Sequence, residues 1–188
     1  MTYTNLEKVH KLIDKHGTPH RRNSWLKVLG LLQPMPSPEI VETGTMRQWE
    51  GDGASTLILG HIAALYNGHL TSIDIDANNL GFSEECADVP VNHCLGDSVE
   101  LLARYTLRNA SIQLLYLDSY DFIAATPEPS QRHMFAEFAA ATRLAPQYVM
   151  LDDTKLPHNG KAGLLIPFLQ ERGWTIIHDE YQQIWQRP

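Results

Sequence analysis

Cysteine is scarce in this chain. Two stand among 188 residues, Cys86 and Cys94, in unrelated local surroundings. That excludes a cysteine-built zinc site and supports no disulfide framework, so a reduced, cytoplasmic protein is expected. Positive charge is also scarce. Fifteen lysines and arginines face 22 aspartates and glutamates, for a net charge of -7. A nucleic-acid binder needs a basic face, so no nucleic-acid partner is expected. A small polar or anionic substrate stays open. No apolar run approaches the roughly 20 residues of a membrane span, so no membrane partner is expected. The opening MTYTNLEKVHKL lacks the basic stretch and apolar core of a secretory leader. Internal repeats and low-complexity stretches are missing too. Proline clusters once, in QPMPSP (33–38).

What is present is alternation. Residues 4–16 and 23–32 read as helices, and EIVET (39–43) as a strand. ASTLILGHIAALYN (54–67) is apolar at helical spacing and closes at Gly68, a C-cap signal. HLTSIDID (69–76) and VNHCL (91–95) read as strands. SVELLARYTLR (98–108) reads as an amphipathic helix with Ser98 at its N-cap. IQLLYLD (112–118) is a strongly apolar strand, 129–145 a helix, and YVMLDD (148–153) another strand. Residues 161–173 form a helix that Pro167 must kink or open. WTIIHD and YQQIWQ close the chain as a strand pair, and the alternation of the last offers an edge for a homodimer. Apolar middle strands alternating with helices predict a doubly wound α/β fold: a seven-stranded, mostly parallel sheet with an antiparallel last strand. Residues 1–37 form a helical cap and 38–188 the α/β domain, together one compact unit.

Ligands in such sheets sit outside the carboxyl ends of the strands. Those ends read Glu42-Thr43-Gly44-Thr45, Asp74-Ile75-Asp76, Gly96-Asp97-Ser98, Asp118-Ser119-Tyr120-Asp121 and Asp152-Asp153. Each carries a carboxylate, and five in succession exceed what solvated loops require. Three glycines separate the first strand from its helix. Gly51-Asp52-Gly53 has Thr56 where a dinucleotide fingerprint needs its third glycine, which disfavours a nicotinamide oxidoreductase. Gly44 instead allows a ligand close to the strand end. The Gly51–Ser55 stretch bends into a helix whose free N–H groups can meet a carboxylate, with Ser55 or Thr56 as N-cap.

The ordered set VETGT, GDGAST, TSIDID, LGDS, LLYLDSYD and VMLDD resembles a class I S-adenosylmethionine-dependent methyltransferase. The metal-dependent O-methyltransferases of the catechol and macrocin types are the nearest variety. The resemblance implies that Glu42 and Gly44 hold the methionine portion of S-adenosylmethionine, with Thr45, Gly53 and Ser55 also binding the cofactor. Asp74 takes both ribose hydroxyls, with Asp76 its near alternative. Asp97 and Ser98 stand at the adenine edge, and Asp118 borders the cofactor. Asp118, Asp152 and Asp153 fall where such enzymes place three oxygen ligands for a divalent cation, expected to be magnesium. The chain departs from the pattern at Asp121, where the catechol type has its lysine base. Asp121, His158 and Lys161 are the alternatives for that base, beside a catalytic Asp118. Lys161 lies in HNGKAG, read as a flexible segment able to close over the site. TMRQWE (45–50) reads as a gating loop, with Arg47 and Trp49 near the mouth. Arg21 and Arg22 are placed to meet an acidic substrate or the cofactor carboxylate. The implied activity is O-methylation of a small-molecule hydroxyl, with a silent cofactor-binding protein as the alternative.

Overall fold

The computed structural model describes residues 3–49, 54–106 and 111–188. Two helices lead: α1 (Tyr3–His16) and α2 (Thr18–Leu32). Strand and helix then alternate through β1 (Glu39–Thr43), α3 (Ser55–Leu65), β2 (His69–Asp74), α4 (Ala77–Cys86), β3 (Asn92–Leu95), α5 (Ser98–Arg104) and β4 (Leu114–Leu117). The chain closes with α6 (Glu128–Ala141), β5 (Tyr148–Leu151), α7 (Leu165–Glu171), β6 (Thr175–Asp179) and β7 (Gln183–Gln186). The seven strands form one sheet in the order β3-β2-β1-β4-β5-β7-β6. The first five pair in parallel, while β7 runs antiparallel to both β5 and β6. The doubly wound sheet read from the sequence is the sheet observed.

Strand side chains alternate between two cores, as the period of two requires. Ile40, Leu114, Tyr116, Tyr148, Met150 and Ile184 pack with α1, α2 and α3 on one face. Val41, Leu115, Leu117, Val149, Leu151 and Trp185 pack with α5, α6 and α7 on the other. Central strands buried on both faces explain the unbroken apolar runs. The leading helices share the first core: Val9, Ile13, Trp25, Val28 and Leu32 cluster with Ile58 and Ile62 of α3. Among the described residues no helix is long and apolar enough to cross a membrane.

Several elements differ from expectation. Helix α4 is new, because ANNLGFSEEC has poor helix formers and little periodicity. It forms because Asp76 caps it, accepting from the Asn78 N–H at 2.8 Å, and because Leu80 and Ser83 are buried. Helix α2 begins at Thr18 rather than residue 23, with Pro19 in its first turn, where proline's missing N–H costs nothing. The expected helix over 161–173 is shorter. Tight 3-10 turns over Pro157–Ala162 precede α7, and Pro167 stands in the first turn of that helix. The expected edge at YQQIWQ is corrected: β7 lies between β5 and β6, with Ile184 and Trp185 buried, so β6 forms that edge.

Candidate functional site

The carboxyl end of β1 is built on a buried carboxylate. Glu42 is fully buried, and its Oε2 accepts from the hydroxyls of Thr56 and Ser72, each at 2.7 Å. Thr56 in turn accepts from the Met46 N–H at 2.9 Å, which ties the start of α3 to the loop after β1. Neither Thr56 nor Ser55 caps α3. Ala54 holds that position in left-handed backbone, and no side chain caps it. Gly44 follows with φ of +81°, and a Cβ there would meet the Asp118 carbonyl oxygen at 2.7 Å. Glycine is what lets the β1 loop lie against the end of β4.

Two cavities of about 200 and 190 Å³ open at the ends of β1 to β4 and share Asp74, Ile75 and Ser119 in their walls. The first is otherwise lined by Ile73, Gly96, Asp97, Ser98, Tyr120 and His133. The second holds Gly44, Thr45, Ser55, Asp118 and Asp121. Asp74 is fixed by backbone donors: Thr45 N–H to Oδ2 at 3.1 Å and Asp76 N–H to Oδ1 at 2.8 Å. Asp76 borders the second cavity alone and caps α4. Asp97, not Ser98, caps α5, accepting from the Glu100 N–H at 3.0 Å. The Ser98 hydroxyl turns inward to donate to Glu137. Gly53, expected at the cofactor, lies outside the described residues, as do Gly51 and Asp52.

At the ends of β4 and β5, Asp118, Asp152 and Asp153 offer oxygens within 4.8 Å of one another. Two cations already hold them. The Arg21 fork grips Asp152, with Nη2 to Oδ2 at 2.8 Å and Nε to Oδ1 at 3.2 Å, and lies 3.5 Å from Asp153. The Lys161 ammonium contacts Asp118 at 2.5 Å and Asp153 at 3.2 Å. The buried Tyr116 hydroxyl lies 3.1 Å from Asp118 and 3.2 Å from Asp152, sharing its proton between them and accepting from Gln182. Tyr181 donates to Asp153 at 2.5 Å. An all-carboxylate oxygen set suits a hard divalent cation. The three groups stand close enough to supply such a donor set, with Lys161 and Arg21 as the cations it would compete with.

The electrostatics follow from burial and proximity. Burial, then Asp152, pushes the Asp118 carboxyl well above the usual range, although Lys161 opposes this. Burial would also raise Asp152, but the Arg21 charge and hydrogen bonds hold it below the ordinary carboxylate value. Burial would lower Lys161, yet Asp118, Asp153 and Asp152 raise it above an ordinary lysine.

The four catalytic candidates are placed differently. Asp118 and Lys161 are in contact. Asp121 is exposed and paired with Arg47 at 2.8 Å, a hydrogen bond that lowers its carboxyl. His158 is exposed, and its carbonyl accepts from Gln131 at 3.1 Å. The expected flap is corrected: Gln131 also donates to the Gly160 carbonyl at 3.0 Å, and Lys161 is buried. Gly160, at φ +54°, packs so tightly that a Cβ would fall 1.8 Å from the Asp153 carbonyl oxygen. Arg21 faces inward to Asp152, whereas Arg22 pairs with Asp14 at the surface. In the loop read as a gate, Met46 is buried and Trp49 lies tilted against His16 and edge-on to Phe82. Sequence reasoning missed Tyr116, Ser119, His133 and Glu137. A tyrosine in an aliphatic strand, and a histidine and glutamate four apart on one helix, were the available signals.

No protein-family model matches the chain, and no curated protein matches it in sequence. Solved structures do match in fold. The apo structure of CalS11, a TDP-rhamnose 3'-O-methyltransferase of calicheamicin biosynthesis, is 18% identical over 97% of this chain and 93% of its own, with a TM-score of 0.55. MycE methyltransferase from the mycinamycin biosynthetic pathway, in complex with Mg and SAH, is 16% identical over 97% of this chain and 54% of its own, with a TM-score of 0.63. The N-methyltransferase NodS from Bradyrhizobium japonicum WM9, in complex with S-adenosyl-L-homocysteine, is 13% identical over 98% of each chain, with a TM-score of 0.56. The chain has the S-adenosylmethionine-dependent methyltransferase fold.

Proposed function

We propose that the chain is an S-adenosylmethionine-dependent methyltransferase that methylates a hydroxyl of a small molecule, with a divalent cation, magnesium by preference, held by Asp118, Asp152 and Asp153. One observation carries the cofactor reading. Asp74, its carboxylate fixed by two backbone N–H groups, stands in the wall common to both cavities. A carboxylate so oriented can accept both hydroxyls of a vicinal diol. The first cavity then takes the base, and the second, with Gly44, Thr45 and Ser55, takes the amino-acid end. The mostly apolar wall of the first cavity and the polar wall of the second support that division.

S-adenosylmethionine supplies an electrophilic methyl group when bound, and a divalent cation supplies Lewis-acid polarisation of an acceptor oxygen. The chain's own contribution is position and charge. Glu42 braces the β1 end through Thr56 and Ser72. Lys161, held protonated among carboxylates, serves as a fixed positive charge beside Asp118 rather than as a base. The likeness to CalS11 supports oxygen as the acceptor atom, and the Mg in MycE supports the cation.

Calorimetric titration with S-adenosylhomocysteine tests the reading. Wild type is expected to bind in the micromolar range, and Asp74→Ala to bind about 10–100-fold more weakly, as loss of hydrogen bonds to a charged group predicts. Magnesium is expected to add a heat that Asp153→Asn abolishes. A folded wild type that does not bind would overturn the cofactor reading. A silent binding protein is the second reading, favoured because Lys161 is ion-paired and Asp121 is tied to Arg47. Tight cofactor binding without methyl transfer to any of a panel of hydroxylated acceptors would select it.

A further inference from the structure

Every carboxylate oxygen of the cluster at the ends of β4 and β5 already has a partner. Lys161 and Tyr116 take the two oxygens of Asp118. The Arg21 fork takes both oxygens of Asp152, and Tyr116 shares one of them. Tyr181 and Lys161 take those of Asp153. A divalent cation added to these oxygens would stand beside two resident cations and be repelled by both. It gains most where one of them leaves.

The two residents are held differently. Arg21 binds the fully buried Asp152 through both Nε and Nη2, and its guanidinium stands 4.8 Å from the centre of the Tyr181 ring. Its helix is tied down as well, because Asn23 donates to Glu180 and Ser24 meets His178. Lys161 is one ammonium on a flexible four-carbon stem. It bridges Asp118 and Asp153, whose side chains are 16% and 15% exposed, against 0% for Asp152. An ion arriving from solvent therefore meets the pair that Lys161 bridges. The backbone under Lys161 cannot retreat. Gln131 holds the His158 and Gly160 carbonyls, and Gly160 is pressed against the Asp153 carbonyl. Only the side chain is left to move.

We propose that Lys161 is a built-in competitor of the divalent cation: its ammonium and the ion are alternative occupants of the Asp118–Asp153 pair, and the lysine, not Arg21, yields. The inference rests on the metal reading above and adds the control of that site. With the ammonium in place the two carboxylates are compensated, and the fold needs no ion. The apparent affinity for the ion is reduced by the fraction of time the lysine stands aside. The ion is therefore held weakly and exchanges with its free concentration. Lys161 never ligates the ion; it acts through Asp118 and Asp153.

The test titrates wild type, Lys161→Met and Lys161→Arg with manganese, a probe that oxygen ligands also accept, and counts free ion by its electron-spin resonance signal. Lys161→Met is expected to bind about tenfold more tightly than wild type, the factor an ammonium standing aside one time in ten imposes. Adding Asp153→Asn to Lys161→Met should remove that gain. Lys161→Arg keeps a cation and is expected to bind no tighter than wild type. Thermal melts give a second readout: manganese should raise the midpoint of Lys161→Met more than that of wild type. Should Lys161→Met fold only with manganese, the ion has replaced the ammonium, as proposed. Should it not fold at all, Lys161→Gln carries the same comparison, and a wild-type affinity there would overturn the proposal. Unchanged affinity in Lys161→Met would overturn the competition and leave the metal reading intact. An equal gain in Lys161→Arg would overturn it too, since loosening rather than charge would be the cause. Folded proteins that bind no manganese would overturn the metal reading and this inference together. S-adenosylhomocysteine titrated into the same samples reports the cofactor reading separately.

Discussion

Gly44 shows how one residue sets the geometry of the site. Its positive φ, and the 2.7 Å at which a Cβ would meet the Asp118 carbonyl oxygen, leave no room for a side chain. Gly44→Ala is expected to cost about 1–3 kcal/mol of stability through backbone strain, measured as a lower urea midpoint. It should also weaken S-adenosylhomocysteine binding, because the β1 loop must move off the end of β4. The importance of Gly44 was legible from its place after an apolar strand. The partner it makes room for was not, since Asp118 lies 74 positions along the chain. Ser98 teaches the opposite lesson. Serine before a helix reads as a cap, yet Asp97 takes that role and frees the Ser98 hydroxyl for Glu137. Two good capping residues stood adjacent, and sequence cannot rank them without knowing what lies behind.

At the scale of elements, α2 is bound to the far end of the sheet through three residues near its start. Arg21 holds Asp152 and stands over the Tyr181 ring at 4.8 Å; Asn23 donates to Glu180, and Ser24 meets His178 at 3.1 Å. The basic pair at 21 and 22 was legible as a feature of the cap. That one arginine would turn inward and the other outward follows from helical geometry, which separates neighbours by about 100°. Arg21→Ala leaves the fully buried Asp152 without its cation and is expected to destabilise the fold by about 3–5 kcal/mol, read by urea denaturation. Arg21→Lys should recover part of this, because an ammonium cannot reproduce the two-pronged contact. Equal stability of wild type and Arg21→Ala would show that solvent or another group compensates Asp152.

For the whole molecule, the leading helices are part of the core. Val9, Ile13, Trp25 and Leu32 complete the core under β1 and α3. A chain of residues 38–188 alone would expose Ile40, Ile58 and Ile62 to water. It is expected to lose cooperative thermal unfolding and to bind a hydrophobic dye, whereas a sharp melt near that of the full chain would contradict this.

The alternation of apolar runs determined the α/β class by itself, because strands buried on both faces must be apolar throughout and helices must cover them. The same alternation put a carboxylate at each of five strand ends, Glu42, Asp74, Asp97, Asp118 and Asp152, without reference to coordinates. Tertiary structure decided which charges meet. The order β3-β2-β1-β4-β5-β7-β6 brings Lys161 onto Asp118 and Arg21 onto Asp152. It also sets Glu137 behind Ser98 and Ser119, and moves β7 from the edge to the interior. Local pattern records which surface of an element is buried. Ion pairs and shared protons depend on distances across the sheet, which appear only when strands far apart in sequence lie side by side.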